Sequence, residues 1–262
     1  MRAKMPSPIR LLSLDCTGTL FTWSASLGTL YHRGFTRAVP AYLVPSAAAI
    51  DDRFAYAYRT VRERWPLYGR EASVESFEWW KAVARLLMED SPILADQSAF
   101  EAGFKEVYCL FQTQEAYRIY EDVMPFLRWA RASGMRTCVI SNVTESYRDA
   151  IIPALGLEPY IEFGIYSKVV GAEKPSPEIF HMAARQAGVE AGELLHIGND
   201  LHKDALGARG AGCCALLLDR AAEYRGARDV EKVPNLAEAR RYLETTRLLA
   251  RFSGRRGAYH FS

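Results

Sequence analysis

Four short polar stretches stand where apolar runs end: Asp15-Cys16-Thr17-Gly18-Thr19, Ser141-Asn142, Lys174-Pro175, and Gly198-Asn199-Asp200 with Asp204 close behind. A carboxylate at the end of a buried strand is expensive to desolvate unless something uses it. The types suggest nucleophilic catalysis. An acid attacks an electron-poor centre, a fixed ammonium cancels repulsion between anions, and hydroxyl and amide groups hold the oxygens of the transferred group. Each stretch alone is weak, because a strand-end Asp often caps a helix and a Ser-Asn pair often makes a turn.

The elements that must position them alternate. After about residue 120, "RTCVISN", "FGIYS", "LLHIGND" and "CCALLL" read as strands, and "SYRDAIIPALG", "SPEIFHMAARQAG" and "KDALGARGAG" as helices ending in glycine. Strand and helix in turn predict a parallel sheet covered on both faces, where ligands lie beyond the strands' C-terminal ends. The first strand, residues 9–15, is separated from this series by a helical stretch. There "SAAAIDDRFAYAYRTVRERW", "SVESFEWWKAVARLLMED" and "DQSAFEAGFKEVYCLF" place apolar residues at helical spacing. We expect an α/β core, residues 1–23 and 121–250, with an inserted all-helical lobe at 24–120 and a basic tail at 251–262.

The 262 residues are 49% hydrophobic and 24% charged with a formal net charge of +2, which leaves no basic footprint for nucleic acid. No run is long and apolar enough to span a membrane. The five cysteines are odd in number and lack paired spacing, so they read as reduced thiols. Cytoplasmic location is the expectation, with a mitochondrial one left open.

In order and spacing, "LSLDCTGTL", "VISN", "GAEKPSPEIF" and "HIGNDLHKDALGARGAG" resemble the motifs of the haloacid dehalogenase-like hydrolase superfamily, and the helical insertion resembles its first type of cap. The resemblance implies a doubly wound, Rossmann-like parallel sheet and a small phosphorylated metabolite as substrate. It makes Asp15 the nucleophile that forms an aspartyl-phosphate, and Lys174 the fixed cation. Ser141, Asn142 and the backbone from Thr17 through Gly18 to Thr19 would bind phosphate. It also implies Mg²⁺, held by Asp15, the carbonyl of Thr17 and the fourth motif, with Asn199, Asp200 and Asp204 as candidates.

Two positions depart from the family pattern. Relatives commonly carry Asp after the motif glycine, where this chain has Asn199 followed by Asp200, so either residue could complete the metal shell. Phosphatases of the superfamily usually carry a second Asp two residues after the nucleophile, as general acid and base. Thr17 does not titrate near neutrality, and that help is typically worth 10²–10⁴-fold. The expectation is therefore a phosphatase-like enzyme of weak or narrow activity, biased toward good leaving groups. A 2-haloacid dehalogenase, whose halide departs without a proton, and a catalytically retired binding protein are the alternatives. Tyr68, Trp79, Trp80, Arg64 and Arg70 are candidates for the lobe's face over the site, and His32 for a substitute base.

Overall fold

The computed structural model describes residues 8–227 and 229–246. Six parallel strands form the main sheet: β1 (Leu11–Leu14), β4 (Arg136–Ser141), β5 (Phe163–Tyr166), β6 (Leu194–Gly198), β7 (Cys214–Leu218) and β8 (Lys232–Val233), in the order β5-β4-β1-β6-β7-β8. A second, antiparallel pair joins β2 (Phe21–Trp23) to β3 (Tyr117–Ile119). Because the central strands are covered on both faces, they read as unbroken apolar runs rather than alternating ones. Leu12 and Leu14 pack on one side with Phe126, Leu127 and Leu243, while Leu11 packs on the other with Ile179, Phe180 and Ala183.

Register places the chemistry. Leu14 of β1 pairs with Val139 of β4 and Ile197 of β6. The residues that follow these three neighbouring strands therefore emerge side by side at the same sheet edge. Asp15, Ser141 and the loop from Asn199 to Asp204 meet there although the chain separates them widely.

Between β2 and β3, the helices Leu27–Thr36, Ala47–Arg64, Ser76–Leu87 and Gln97–Leu110 enclose their own apolar cluster, with Trp79, Phe35, Phe100 and Phe104 fully buried. Helix caps are local and legible: Ser26, Ser46 and Asp96 each accept a backbone N–H of the first turn. The lobe touches the core through side chains. Tyr68 Oη donates to the carbonyl of Asn142 at 2.7 Å, Arg70 to that of Lys168 at 2.6 Å, and Arg62 pairs with Glu173 at 2.8 Å. In return Lys168 Nζ reaches the carbonyl of Val74 at 2.9 Å and the hydroxyl of Ser76 at 2.8 Å.

Several elements differ from the sequence reading. The β2–β3 stem escaped it because each strand is three residues long and sits among aromatic residues that also suit a helix. Strand β6 stops at Gly198 instead of running to residue 200, because Asp200 caps the following wide turn Leu201–Leu206. The helix Leu236–Thr245, capped by Asn235, and strand β8 were not anticipated. The basic tail lies outside the described residues. Among the described residues no helix is long and apolar enough to cross a membrane.

Two lobe helices approach closely at Gly34, where a Cβ would stand 2.7 Å from Val107 Cγ2 and 2.8 Å from its Cα. Helix propensity favours Ala over Gly by up to about 1 kcal/mol, but backbone must move to admit the methyl, and overpacking typically costs about 1–3 kcal/mol. Gly34→Ala should lower the urea midpoint, with a net loss of about 1–2 kcal/mol.

Candidate functional site

Asp15 follows β1 directly, is 8% exposed, and takes both of its hydrogen bonds on one oxygen. Lys174 Nζ donates to Oδ1 at 2.7 Å and the Ser141 hydroxyl donates to the same oxygen at 2.9 Å. That leaves Oδ2 to the cavity. Lys174 also donates to the Ile140 carbonyl at 2.9 Å and to Asp204 Oδ1 at 2.5 Å. Its three N–H bonds are thereby all used, which is how a nearly inaccessible ammonium tolerates burial.

The lysine's loop is held in turn by Asn142. Its amide donates to the Lys174 carbonyl and accepts from the Lys174 N–H, both at 2.8 Å. Sequence reasoning put this amide on the phosphate; in the structure it positions the lysine's loop, lines the cavity, and keeps its second N–H unassigned.

Asp204 is the lysine's second partner, and it gathers more donors than Asp15. The Asp200 N–H donates to Oδ2 at 2.8 Å, and His196 Nε2 lies 3.1 Å from Oδ1. Since a carboxylate only accepts, Nε2 carries the proton and Nδ1 accepts from the Ser13 hydroxyl at 2.9 Å. His196 is thus a satisfied interior histidine, as the sequence suggested; burial holds it below its ordinary pKa, with the Asp204 bond opposing.

One ammonium between two carboxylates produces an asymmetric titration. Burial holds the Asp15 carboxyl above its ordinary value; Lys174 pulls it down, and the charge of Asp204 pushes it up again. At Asp204 burial also opposes ionisation, but Lys174 and His196 more than offset it and hold the acid well below the usual carboxylate range. Burial opposes the charge on Lys174, and Asp15 and Asp204 together more than restore it, so its pKa rises. The Lys174–Asp15 bond thus raises the lysine while the acid stays above its ordinary value, because burial and the charge of Asp204 outweigh the lysine's pull.

Thr17 Oγ1 meets the hydroxyl of Tyr147 at 2.9 Å. Burial pushes the phenol's pKa up, so it stays neutral, and neither partner titrates near pH 7. Gly18 has φ +87°, and a Cβ there would stand 2.6 Å from Asn199 Nδ2, so glycine lets the amide lie against the loop that follows Asp15. Thr19 is buried and donates to Asn199 Oδ1 at 3.3 Å.

The magnesium implied by the resemblance needs oxygens with free lone pairs. Asp200 is half committed: Oδ1 caps the N–H groups of His202 and Lys203 at 2.9 and 2.8 Å, while Oδ2 has one contact, with Lys203 Nζ at 3.0 Å, and keeps a lone pair. Asp204 is committed to Lys174, His196 and the backbone. Asp204 therefore leaves the expected ligand set. What remains is Asp15, the Asn199 amide oxygen and Asp200 Oδ2, with the Thr17 carbonyl that the resemblance adds. This set fits a magnesium ion that keeps water and shares a substrate phosphate, since Mg²⁺ is commonly held through one or two carboxylates in that way.

A cavity of about 330 Å³ opens over these groups, with Asp15, Thr17, Ser141, Lys174 and Asn199 in its floor. Of the lobe candidates, Tyr68 and Trp80 reach it. Trp79 is core, Arg64 stacks on the Trp65 ring at 4.5 Å, and Arg70 is tied to main-chain carbonyls of the core. His32 bonds the Pro45 carbonyl at 2.9 Å and does not line the cavity. Sequence reasoning missed Tyr147 and Lys203, both of which line it; Tyr147 stands outside every motif, and Lys203 stands inside the fourth, next to Asp204.

Comparison with known proteins agrees with this architecture. A family profile described as hydrolase, haloacid dehalogenase-like hydrolase, matches residues 9–212. The chain is 29% identical over 210 residues to haloacid dehalogenase-like hydrolase domain-containing protein 3 of Bos taurus, covering 80% of this chain and 82% of that one. It is 33% identical over 111 residues to phosphoserine phosphatase of Thermus thermophilus, covering 42% and 44%. In fold it is similar to the crystal structure of a 2-haloacid dehalogenase from Pseudomonas syringae, with TM-score 0.64 and 21% identity over 91% of this chain and 99% of that one.

The asymmetry between the acids sets opposite mutational outcomes. An acid whose folded-state pKa exceeds its unfolded value of about 3.9 binds more protons when folded, so its contribution falls as pH rises past that value. Charged Asp15 therefore opposes folding at neutrality, and Asp15→Asn should stabilise the protein by about 0.5–2 kcal/mol at pH 7. Lys174→Met leaves two buried carboxylates without their cation and should cost about 3–5 kcal/mol. Chemical denaturation of both variants checks the contrast; a destabilised Asp15→Asn would contradict it.

Proposed function

The chain belongs to the haloacid dehalogenase-like hydrolases, and from that premise we propose that it hydrolyses phosphate monoesters through a covalent phosphate on Asp15. The observation that carries this reading is the free Oδ2 of Asp15, which faces the cavity while Lys174 and Ser141 hold its other oxygen. The phosphatase among its relatives supports it. In this reading the helical segment 24–120 is the lid that selects substrates, and residues 1–23 with 121–250 are the core that performs the chemistry.

Oδ2 attacks phosphorus and forms an O–P bond as the ester P–O bond breaks, and the leaving oxygen departs with the electron pair. Water then attacks the phosphorus of the acyl phosphate, which releases inorganic phosphate and restores the carboxylate. Lys174 stabilises charge on the transferring group. Mg²⁺ held by the Asp15 carboxylate, the Thr17 carbonyl and Asn199 would supply further charge neutralisation. Thr17 and Tyr147 offer hydrogen bonds but no proton at neutrality. Leaving groups stable as anions are favoured, because a sugar alkoxide departs poorly without the acid's 10²–10⁴-fold help.

A second reading is favoured by the same hydroxyl pair: displacement of halide from a 2-haloacid needs no proton donor either. A leaving-group series decides. On purified protein with Mg²⁺, an aryl phosphate should turn over about 10²-fold or more faster than a sugar phosphate, and Asp15→Asn should abolish both activities. Chloride release from 2-chloropropionate undiminished by chelator would establish the dehalogenase instead. Turnover unaffected by Asp15→Asn would remove the nucleophile altogether.

The donor set also sets a metal prediction. Asn199→Asp adds a second charge beside Asp15 and should tighten Mg²⁺ about tenfold, a change of about 1.4 kcal/mol, as measured by calorimetry without substrate.

A further inference from the structure

Six aromatic rings run in unbroken contact along the cavity wall, from the lobe to the stem. Trp80 meets Tyr58 with ring centres 5.9 Å apart, Tyr58 meets Phe54 at 6.3 Å, and Phe54 meets Tyr31 at 5.9 Å. Tyr31 then meets Phe111 at 5.4 Å, and Phe111 meets Trp23 at 5.6 Å. Every charged residue lining the cavity comes from the core: Asp15, Lys174, Asp200, Lys203 and Asp204. The lobe contributes none, since its Arg62, Arg64 and Arg70 are all engaged elsewhere.

The tyrosine hydroxyls along this wall are largely committed already. Tyr68 donates its one proton to the Asn142 carbonyl, so the 3.1 Å contact between Tyr58 and Tyr68 is a donation from Tyr58. Tyr117 donates to the Phe111 carbonyl at 2.8 Å, and Tyr147 is paired with Thr17. The polar groups left to a polyol are those of Gln112, Thr144, Ser146 and the core's charged residues, and any hydroxyl laid against the rings instead goes unpaired at about 1–3 kcal/mol. A flat apolar ring loses nothing and gains contact with ring faces and edges. Cavities of about 150 Å³ suffice for benzene, so 330 Å³ holds one ring together with a phosphate on the floor.

We infer that the substrate is a neutral aromatic monophosphate, its phosphate over Asp15 and Lys174 and its ring against the wall of Trp80, Phe54 and Phe111. This rests on the reading of Asp15 as a phosphate-binding nucleophile. It adds a demand that leaving-group chemistry alone does not make, namely that the group be aromatic and uncharged.

Phosphonates separate the two, because their C–P bond removes leaving-group chemistry. Titration of the Mg²⁺-supplemented protein with benzylphosphonate and methylphosphonate should show the benzyl compound binding tenfold or more tighter. Glucose 6-phosphate should compete no better than methylphosphonate. Trp80→Ala, and independently Phe54→Gln, should shrink the benzyl-to-methyl ratio to about threefold or less while leaving methylphosphonate affinity unchanged. Equal affinity for the two phosphonates overturns the aromatic assignment and leaves the anion-binding floor standing. A glucose 6-phosphate affinity matching the benzyl compound's also overturns it. If neither phosphonate binds, the floor does not take the anion, and the functional reading falls together with the inference.

Discussion

The site hangs on a single ammonium divided between two carboxylates. Lys174 sits 2.7 Å from Asp15 and 2.5 Å from Asp204, almost without solvent contact. The two acids then diverge according to their other donors. Asp204 has a neutral histidine and a backbone N–H and is held ionised; Asp15 has one serine hydroxyl and stays elevated. The carboxylate less satisfied by its surroundings is the one that opens to the cavity. In the proposed chemistry a nucleophile must remain incompletely satisfied, and here the deficit is built by giving more donors to its neighbour.

That arrangement explains why the sheet has the order it does around the site. The ammonium reaches the carboxylate after β1, the carbonyl of Ile140 in β4 and the acid in the turn after β6. Three adjacent strand ends must therefore stay level to within a hydrogen bond's tolerance. Parallel pairing of β1 with both neighbours provides this, and Asn142, bonded to the main chain of Lys174 in both directions, pins the loop that delivers the cation.

Much of this was legible in the sequence, for a physical reason. A parallel sheet buried on both faces writes each strand as an apolar run, and the residue ending the run at the strands' C-terminal edge is where a polar group can sit. Asp15 and Ser141 were found in that way, and Lys174 and Asp204 through the order and spacing of the family motifs. What escaped depends on contacts that no local pattern encodes. Nothing in "SYRDAI" shows that Tyr147 will meet Thr17. Short strands such as β2 and β3 fail for a related reason, since three residues cannot display a period.

Thr17 and the aromatic wall express one constraint in two places. A site without a titratable acid at position 17 performs poorly on substrates whose leaving oxygen must be protonated, and a lobe whose lining is uncharged and mostly aromatic binds such polar groups poorly. Each feature alone would be a defect in an enzyme acting on sugars or amino acids. Together they are consistent, because a phenolic oxygen leaves as a stabilised anion and its ring belongs against other rings. The contacts from Trp23 through Tyr117 and Phe21 to Tyr147, with ring centres 5.2, 5.3 and 6.0 Å apart, join the wall to the hydroxyl pair at Thr17. The residue that removes proton transfer and the surface that admits an apolar group are thus parts of one packed aromatic series, and a change at either end must be accommodated by the other.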